Sequence, residues 1–263
     1  MDKSIYFKGP SCYQETDKEL FWGREKETQD VFNLVSNSDY CVCCAKSGEG
    51  KSSLLNAGLM PKLRKCGFLP VNIRFSRRCY ENENPDFDAI VLSVLEKARK
   101  DIGADYYKSV DVDEKIGKIH YHGEKNLNES LWWNLRVNEI RKDAFTQLTP
   151  VLIFDQFEEI FANSVDIGWV NKFFVWLEEL YNDMNPCDNM EVGRLGKKFK
   201  VLLSLRSEYI CELDYWAMQR CFIPSLKNNR YYLKPLTGNA ADEIVTRIFE
   251  KIDFNGIAKD TIL

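Results

Sequence analysis

Two patterns of apolar positions alternate along this chain. Short stretches are apolar almost throughout: "DYCVCCA" (39–45), "LPVNIRF" (69–75), "PVLIFD" (150–155), "FKVLLSLR" (199–206) and "RYYLKPL" (230–236). Runs of this length, rich in β-branched and aromatic residues, predict strands buried on both faces. Between them apolar residues recur at helical spacing. Residues 24–36 gather Val31, Phe32, Leu34 and Val35 on one side of a charged helix. "SSLLNAGLMPKLRK" (52–65) reads as helix until Pro61 and Gly67 disturb it. "DFDAIVLSVLEKARKDI" (86–102) reads as an amphipathic helix with Asp86 at its start. The same period predicts helix over 130–148 and 168–183. Periodicity lapses at 103–128, which reads as a surface excursion with "KIHYH" as a small hairpin arm, and at 184–199, a polar, basic loop. Buried strands separated by helices imply an α/β fold: a mostly parallel sheet with helices on both faces. The boundaries expected are an N-terminal segment and helix (1–36), a core (37–236) and the start of a helical region (237–263).

The chemistry concentrates where the first apolar run meets a helix, at "CAKSGEGKSSLL". The spacing is that of a phosphate-binding loop, Gly-x-x-x-x-Gly-Lys-[Ser/Thr], with Ala45 where the first glycine is usual. Lys46, Ser47, Gly48, Glu49, Gly50, Lys51, Ser52 and Ser53 would form a turn whose amides, backed by a helix N-terminus, cradle phosphate oxygens. Lys51 would reach the β- and γ-phosphates, and the Ser52 hydroxyl would ligate Mg²⁺. An alanine methyl at 45 is tolerated if φ there is negative. "VLIFDQFEEIF" ends an apolar strand in Asp155, an acid placed to orient Mg²⁺ beside Ser52. Glu158 and Glu159 follow, where a carboxylate could polarise an attacking water or simply favour a helix start; Glu158 is the stronger candidate, being nearer the strand. Arg206 ends the strand "VLLSLR", where it could sense the γ-phosphate or pair with Glu208. The guanine-reading pattern Asn-Lys-x-Asp is absent, which favours ATP over GTP.

With these stretches in order, and with "LFWGREKE" before them and "YYLKPLTGNAADEI" after, the chain resembles STAND-class P-loop NTPases, closest to the bacterial novel STAND NTPase type-one domain. "KSSLLNAGLMPKL" and "DQFEEIF" are the most specific parts of that likeness. The resemblance implies a five-stranded parallel sheet in the order 5-1-4-3-2 and a base site along Trp22, Gly23 and Arg24. It also implies an ATP-binding, slowly hydrolysing switch, oligomeric on activation, with a regulatory role such as antiviral defence. Family members continue past this point with a lid and further regions, so the chain reads as ending early in its helical part.

Composition narrows the alternatives. A formal charge of −4 announces neither nucleic acid nor membrane, and no apolar run is long enough to span a bilayer. Nine cysteines without a secretory signal point to a reducing, cytoplasmic setting. Cys41 and Cys44 have the spacing of half a zinc knuckle, but no second pair exists and nothing near His120 and His122 completes a set, so "YCVCC" reads as a buried strand using cysteine as a small hydrophobe. Two other functions stay open. Lys62, Arg64, Lys65, Arg74, Arg77 and Arg78 could engage DNA phosphates, as in an origin-recognition-type loader. A scaffold that binds nucleotide without hydrolysing it is the other, and Arg220 or Arg230 could act in trans in an oligomer.

Overall fold

An unbroken apolar run can be buried only if both faces of its strand are covered, and β1 (Tyr40–Ala45) shows this residue by residue. Tyr40, Val42 and Cys44 enter one apolar cluster while Cys41, Cys43 and Ala45 enter the other, on the opposite face of the sheet. The computed structural model describes residues 11–82, 84–108, 114–121, 125–163, 167–182, 198–220 and 224–252. Besides β1 its strands are β2 (Phe68–Ile73), β3 (Asp105–Lys108), β4 (Asn138–Arg141), β5 (Gln147–Phe154), β6 (Lys200–Arg206) and β7 (Arg230–Tyr232). The expected five-stranded sheet is corrected: among the described residues it has seven strands, in the order β3-β4-β5-β6-β1-β7, with β2 also paired to β5. The parallel pairings join β7, β1, β6, β5 and β2, and the difference lies in β3 and β4, which extend β5 antiparallel at its beginning. All the parallel strands therefore point their C-terminal ends the same way, which is where ligands bind in open α/β sheets.

The extra strands come from residues assigned to helix and loop by periodicity. The helix expected over 130–148 stops at Val137, and β4 and β5 form a hairpin around 142–146. Asp143 organises that turn by accepting from the Phe145 and Thr146 amides (2.9 and 2.8 Å) and the Thr146 hydroxyl (2.9 Å). The stretch 103–128 is more than a surface excursion. It supplies β3, and Ile116 and Leu127 pack with Trp132, Trp133 and Val137 in a small core of their own. The "KIHYH" arm closes through Tyr121 N–H to Lys125 O (2.9 Å) and Leu127 N–H to Ile119 O (2.8 Å), with 122–124 outside the described residues. The loop expected at 184–199 also falls mostly outside them.

The helix after the phosphate loop passes through Pro61 because a π-helical segment, Leu54–Leu59, precedes the final turn, Met60–Lys65, and proline sits at its start, where a missing N–H costs least. Gly67, at φ +82°, then ends it. On the other face, helix Ile167–Tyr181 sends Trp169, Phe173 and Trp176 into an aromatic core with Phe75, Phe87 and Phe154. Ring centroids there stand 5.0–6.4 Å apart, mostly edge to face, which fixes the end of β5 from below.

Candidate functional site

β1 delivers the chain into the turn 46–50, and the helix begins at Lys51. Gly48 and Gly50 have φ of +84° and +82°, a left-handed backbone that glycine alone adopts without strain. Ala45 is different. Among the described residues the one non-glycine at positive φ is Gln156, so Ala45 has ordinary strand backbone, in register with Arg206 on β6. Its methyl is fully buried. The turn is braced by Glu49, whose carboxylate accepts from the Lys46 amide (2.8 Å). Arg24 braces it from outside: this buried guanidinium donates to Glu27 Oε1 (2.8 Å), Lys234 O (2.8 Å) and Glu49 O (3.2 Å). It thereby ties the first helix, the loop and the segment after β7 together.

The acids arrive from the ends of neighbouring strands. Just past β5, Asp155 donates its N–H to Ile73 O (3.0 Å), and its Oδ1 accepts from Ser204 Oγ (3.2 Å) and Gln156 N (3.0 Å). Gln156, at φ +57°, turns the chain, and Phe157 N–H donates to Ser204 O (2.8 Å). Glu158 therefore swings back beneath the loop. Lys51 Nζ lies 3.8 Å from Asp155 Oδ1 and 4.0 Å from Glu158 Oε2, all three side chains being buried. Glu158 also holds Arg206: Oε1 is 3.1 Å from Nε and Oε2 accepts from the Arg206 amide (3.2 Å), while the guanidinium is half exposed. Glu159 goes elsewhere. It starts helix Glu159–Asn163 and pairs with Arg74 (2.8 Å), just past the end of β2.

Two adjoining cavities lie over these groups. One, of about 540 Å³, is lined by Lys46, Ser47, Gly48, Gly50, Lys51, Ser52 and Ser53 together with Gln156, Glu158 and Arg206. The other, of about 530 Å³, is walled by Leu20, Phe21, Trp22, Pro235, Leu236 and Ile244, with Arg24 and Glu49 at its side. They share Tyr13, Ser47, Gly48, Gly50, Ser53 and Leu236. A polar, cationic chamber continuous with an apolar one has the shape and polarity of a nucleotide. Gly23, at φ +77°, lines neither and turns the chain from Trp22 into the helix. Sequence reasoning missed the N-terminal segment: Tyr13 N–H donates to Ser53 Oγ (3.1 Å), and Ser53 Oγ and Asn56 Nδ2 each lie 3.6 Å from Cys12 Sγ. It also missed Gln156 and Ile244. Only Gln156 carried a signal, as the turn residue after the strand acid.

The other candidates have structural partners. Cys41, Cys43 and Cys44 are buried strand residues, and burial pushes the Cys43 and Cys44 thiols up to about 12. No cluster of metal-ligating side chains occurs among the described residues. Arg230 pairs with Asp214 and donates to Leu226 O (2.7 Å); the Arg220 side chain lies outside what is described. Of the basic residues at 57–80, Arg64 pairs with Glu15 (2.7 Å), Arg74 with Glu159, and Lys62 sits over the Phe32 ring. No helix of the described residues is long and apolar enough to cross a membrane.

No curated protein matches this chain. Among solved structures, the Walker-type ATPase PABY2304 of Pyrococcus abyssi superposes over 97% of this chain and 64% of its own, with TM-score 0.55 and 13% identity. The ORC2 protein of Aeropyrum pernix in its ADP form superposes over 95% of this chain and 56% of its own, with TM-score 0.51 and 12% identity. At such identities the likeness is one of fold, and the chain spans under two thirds of either protein. The sequence itself is more specific: the Novel STAND NTPase 1 family matches residues 7–255, and the chain belongs to that family, as a nucleotide-binding P-loop NTPase domain of the STAND class.

Proposed function

We propose that this domain is an ATP-dependent switch that hydrolyses its nucleotide slowly and serves signalling, with bacterial antiviral defence as its setting. The observation that carries the reading is the closed set of charges at the cavity floor: Lys51 against Asp155 and Glu158, and Glu158 in turn holding Arg206. Lys51 and the loop amides would take the β- and γ-phosphates, while the apolar chamber takes the base. Ser52 and Asp155 offer the oxygen donors that Mg²⁺ prefers, and Lys51 Nζ at 3.8 Å from Asp155 Oδ1 supports a reading in which this carboxylate serves a cation. When bound, Mg²⁺ would neutralise phosphate charge.

Glu158 is the proposed base. In the observed arrangement its carboxylate is occupied by Arg206, so accepting a hydrogen bond from water requires Arg206 to turn away. A γ-phosphate is the anion that would draw the guanidinium, which makes Arg206 both sensor and gate. The segment after β7 lines the base chamber with Pro235 and Leu236 and leads into helix Gly238–Ile252, which adds Ile244. Nucleotide binding would therefore bias the position of that helix, and with it the assembly of a homo-oligomer on activation.

The test is Mg²⁺-ATP binding and turnover by wild type, Lys51→Ala and Glu158→Gln, each with and without duplex DNA. The reading expects slow, DNA-independent turnover, binding lost in Lys51→Ala, and binding kept without turnover in Glu158→Gln. Stimulation by DNA would favour a loader, and unchanged turnover in Glu158→Gln would refute the assignment of the base.

A further inference from the structure

A further cavity, of about 620 Å³, shares no lining residue with the nucleotide site. It opens between the start of helix Phe87–Asp101 and helix Ile167–Tyr181. Its floor is anionic. Asp88, 5% exposed, accepts from the Leu131 amide (3.0 Å) and Trp176 Nε1 (2.9 Å), both on Oδ1; Oδ2 accepts no hydrogen bond among the described residues. Its mouth carries charges of both signs. Lys172, exposed, donates to Asn84 Oδ1 (2.6 Å), and Lys125, partly exposed, pairs with Asp86. Phe87 and Trp176 form an aromatic wall, their centroids 5.6 Å apart, and Glu179 completes the lining.

The two N–H donors explain why Oδ1 is buried. They do not explain a carboxylate oxygen left facing a cavity with lysines at its mouth. A buried carboxylate without a contacting counter-ion is costly and favours an incoming cation. Guanidinium suits this place better than ammonium, being weakly hydrated, planar and able to stack on aromatic rings. The lysines could take a carboxylate on the same ligand, Lys125 in exchange for Asp86 and Lys172 beside its bond to Asn84. We propose that this cavity binds a small zwitterion of the arginine class, free arginine or a peptide's C-terminal arginine, with its guanidinium against Asp88 and its carboxylate toward Lys125 and Lys172.

Calorimetric titration of the whole chain with L-arginine, glycyl-L-arginine and agmatine tests this, agmatine being arginine without its carboxylate. Saturable binding of L-arginine or the dipeptide is expected, and whichever binds identifies the source. Agmatine should bind about tenfold more weakly, and so should arginine to Asp88→Asn, because charge-assisted bonds are lost. Asparagine keeps an acceptor for both N–H donors, and circular dichroism with retained ATP binding checks the fold. Should Asp88→Asn not fold, Lys172→Ala at the exposed mouth decides: arginine should drop to agmatine's affinity while agmatine is unchanged. Absence of saturation by either arginine compound at millimolar concentration overturns the proposal. So does equal affinity for arginine and agmatine.

Discussion

Restoring the usual glycine at position 45 ought, by motif logic, to improve the nucleotide site. The structure expects the opposite: lost stability and no gain in affinity. Ala45 is a fully buried residue of β1, in register with Arg206, at ordinary φ, and it lines neither half of the nucleotide cavity. Glycine inside a strand costs about 0.5–1 kcal/mol in backbone entropy. Removing the methyl from the cluster with Val31, Leu54 and Val151 costs about 0.8 kcal/mol more in lost burial. The sum is roughly 1.5 kcal/mol, which for a domain of this size lowers the melting temperature by about 3–6 °C. Scanning calorimetry without nucleotide measures the first effect, and ATP titration measures the second. Ala45→Gly should bind within about twofold of wild type. A tenfold gain in affinity, or an unchanged melting temperature, would refute the reasoning and mean that the loop is strained at its first residue.

Four further outcomes follow from particular contacts. A Cβ at Gly58 would lie 2.5 Å from Thr28 Oγ1 and 3.1 Å from Phe21 Cε1. Gly58→Ala should therefore lose more to overpacking, about 1–3 kcal/mol, than the roughly 1 kcal/mol it gains in helix propensity; thermal melts should show a net loss that Thr28→Ala partly restores. Cys12 lines the phosphate chamber, so ATP should slow its alkylation while leaving exposed Cys66 and Cys211 unaffected, a difference that peptide mass spectrometry resolves. Arg24→Lys should weaken ATP binding and lower urea stability by about 1–3 kcal/mol, since an ammonium cannot reach Glu27, Lys234 O and Glu49 O together; a neutral result would dismiss the clamp. Burial raises the Asp88 carboxyl above the ordinary range; bonds from Trp176 and Leu131 and the Lys125 charge oppose this, and Asp86 adds to it. An acid that binds its proton more tightly when folded loses stability as pH rises from the ordinary carboxylate range through its folded value. Asp88→Asn should thus gain on wild type as pH rises through that window, and parallel stability curves would count against it.

The parallel strands and their helices were legible because burial on two faces writes an unbroken apolar run and burial on one face writes a helical period. The β4–β5 hairpin was not. "LWWNLRVNEIR" keeps helical spacing past Val137, and what ends the helix is pairing of Asn138–Arg141 with β3 and of Ile140 and Arg141 with β5. Of these partners β3 is remote in sequence, so local periodicity cannot weigh it. The passage through Pro61 has the same character: a proline reads as a break until a π-helical turn ahead of it removes the bond that it would have broken.

The site divides along the same line, and Glu158 and Glu159 show why. As neighbours after a strand they are almost equivalent in sequence, and nearness to β5 was a weak reason to prefer the first. What separates them is Gln156 in a left-handed conformation, with Phe157 N–H anchored on Ser204 of the adjoining strand. That single turn sends Glu158 to Lys51 and Arg206 and leaves Glu159 to Arg74. The loop was legible because its amides, lysine and hydroxyls act from one short contiguous segment. Its governing contacts are not contiguous: Arg24 joins Lys234 across the whole domain, and Arg206 holds Glu158 from the next strand. Motif spacing therefore picks out the groups of the proposed phosphate site, and only the packing of strand ends shows that Glu158 and Arg206 hold each other.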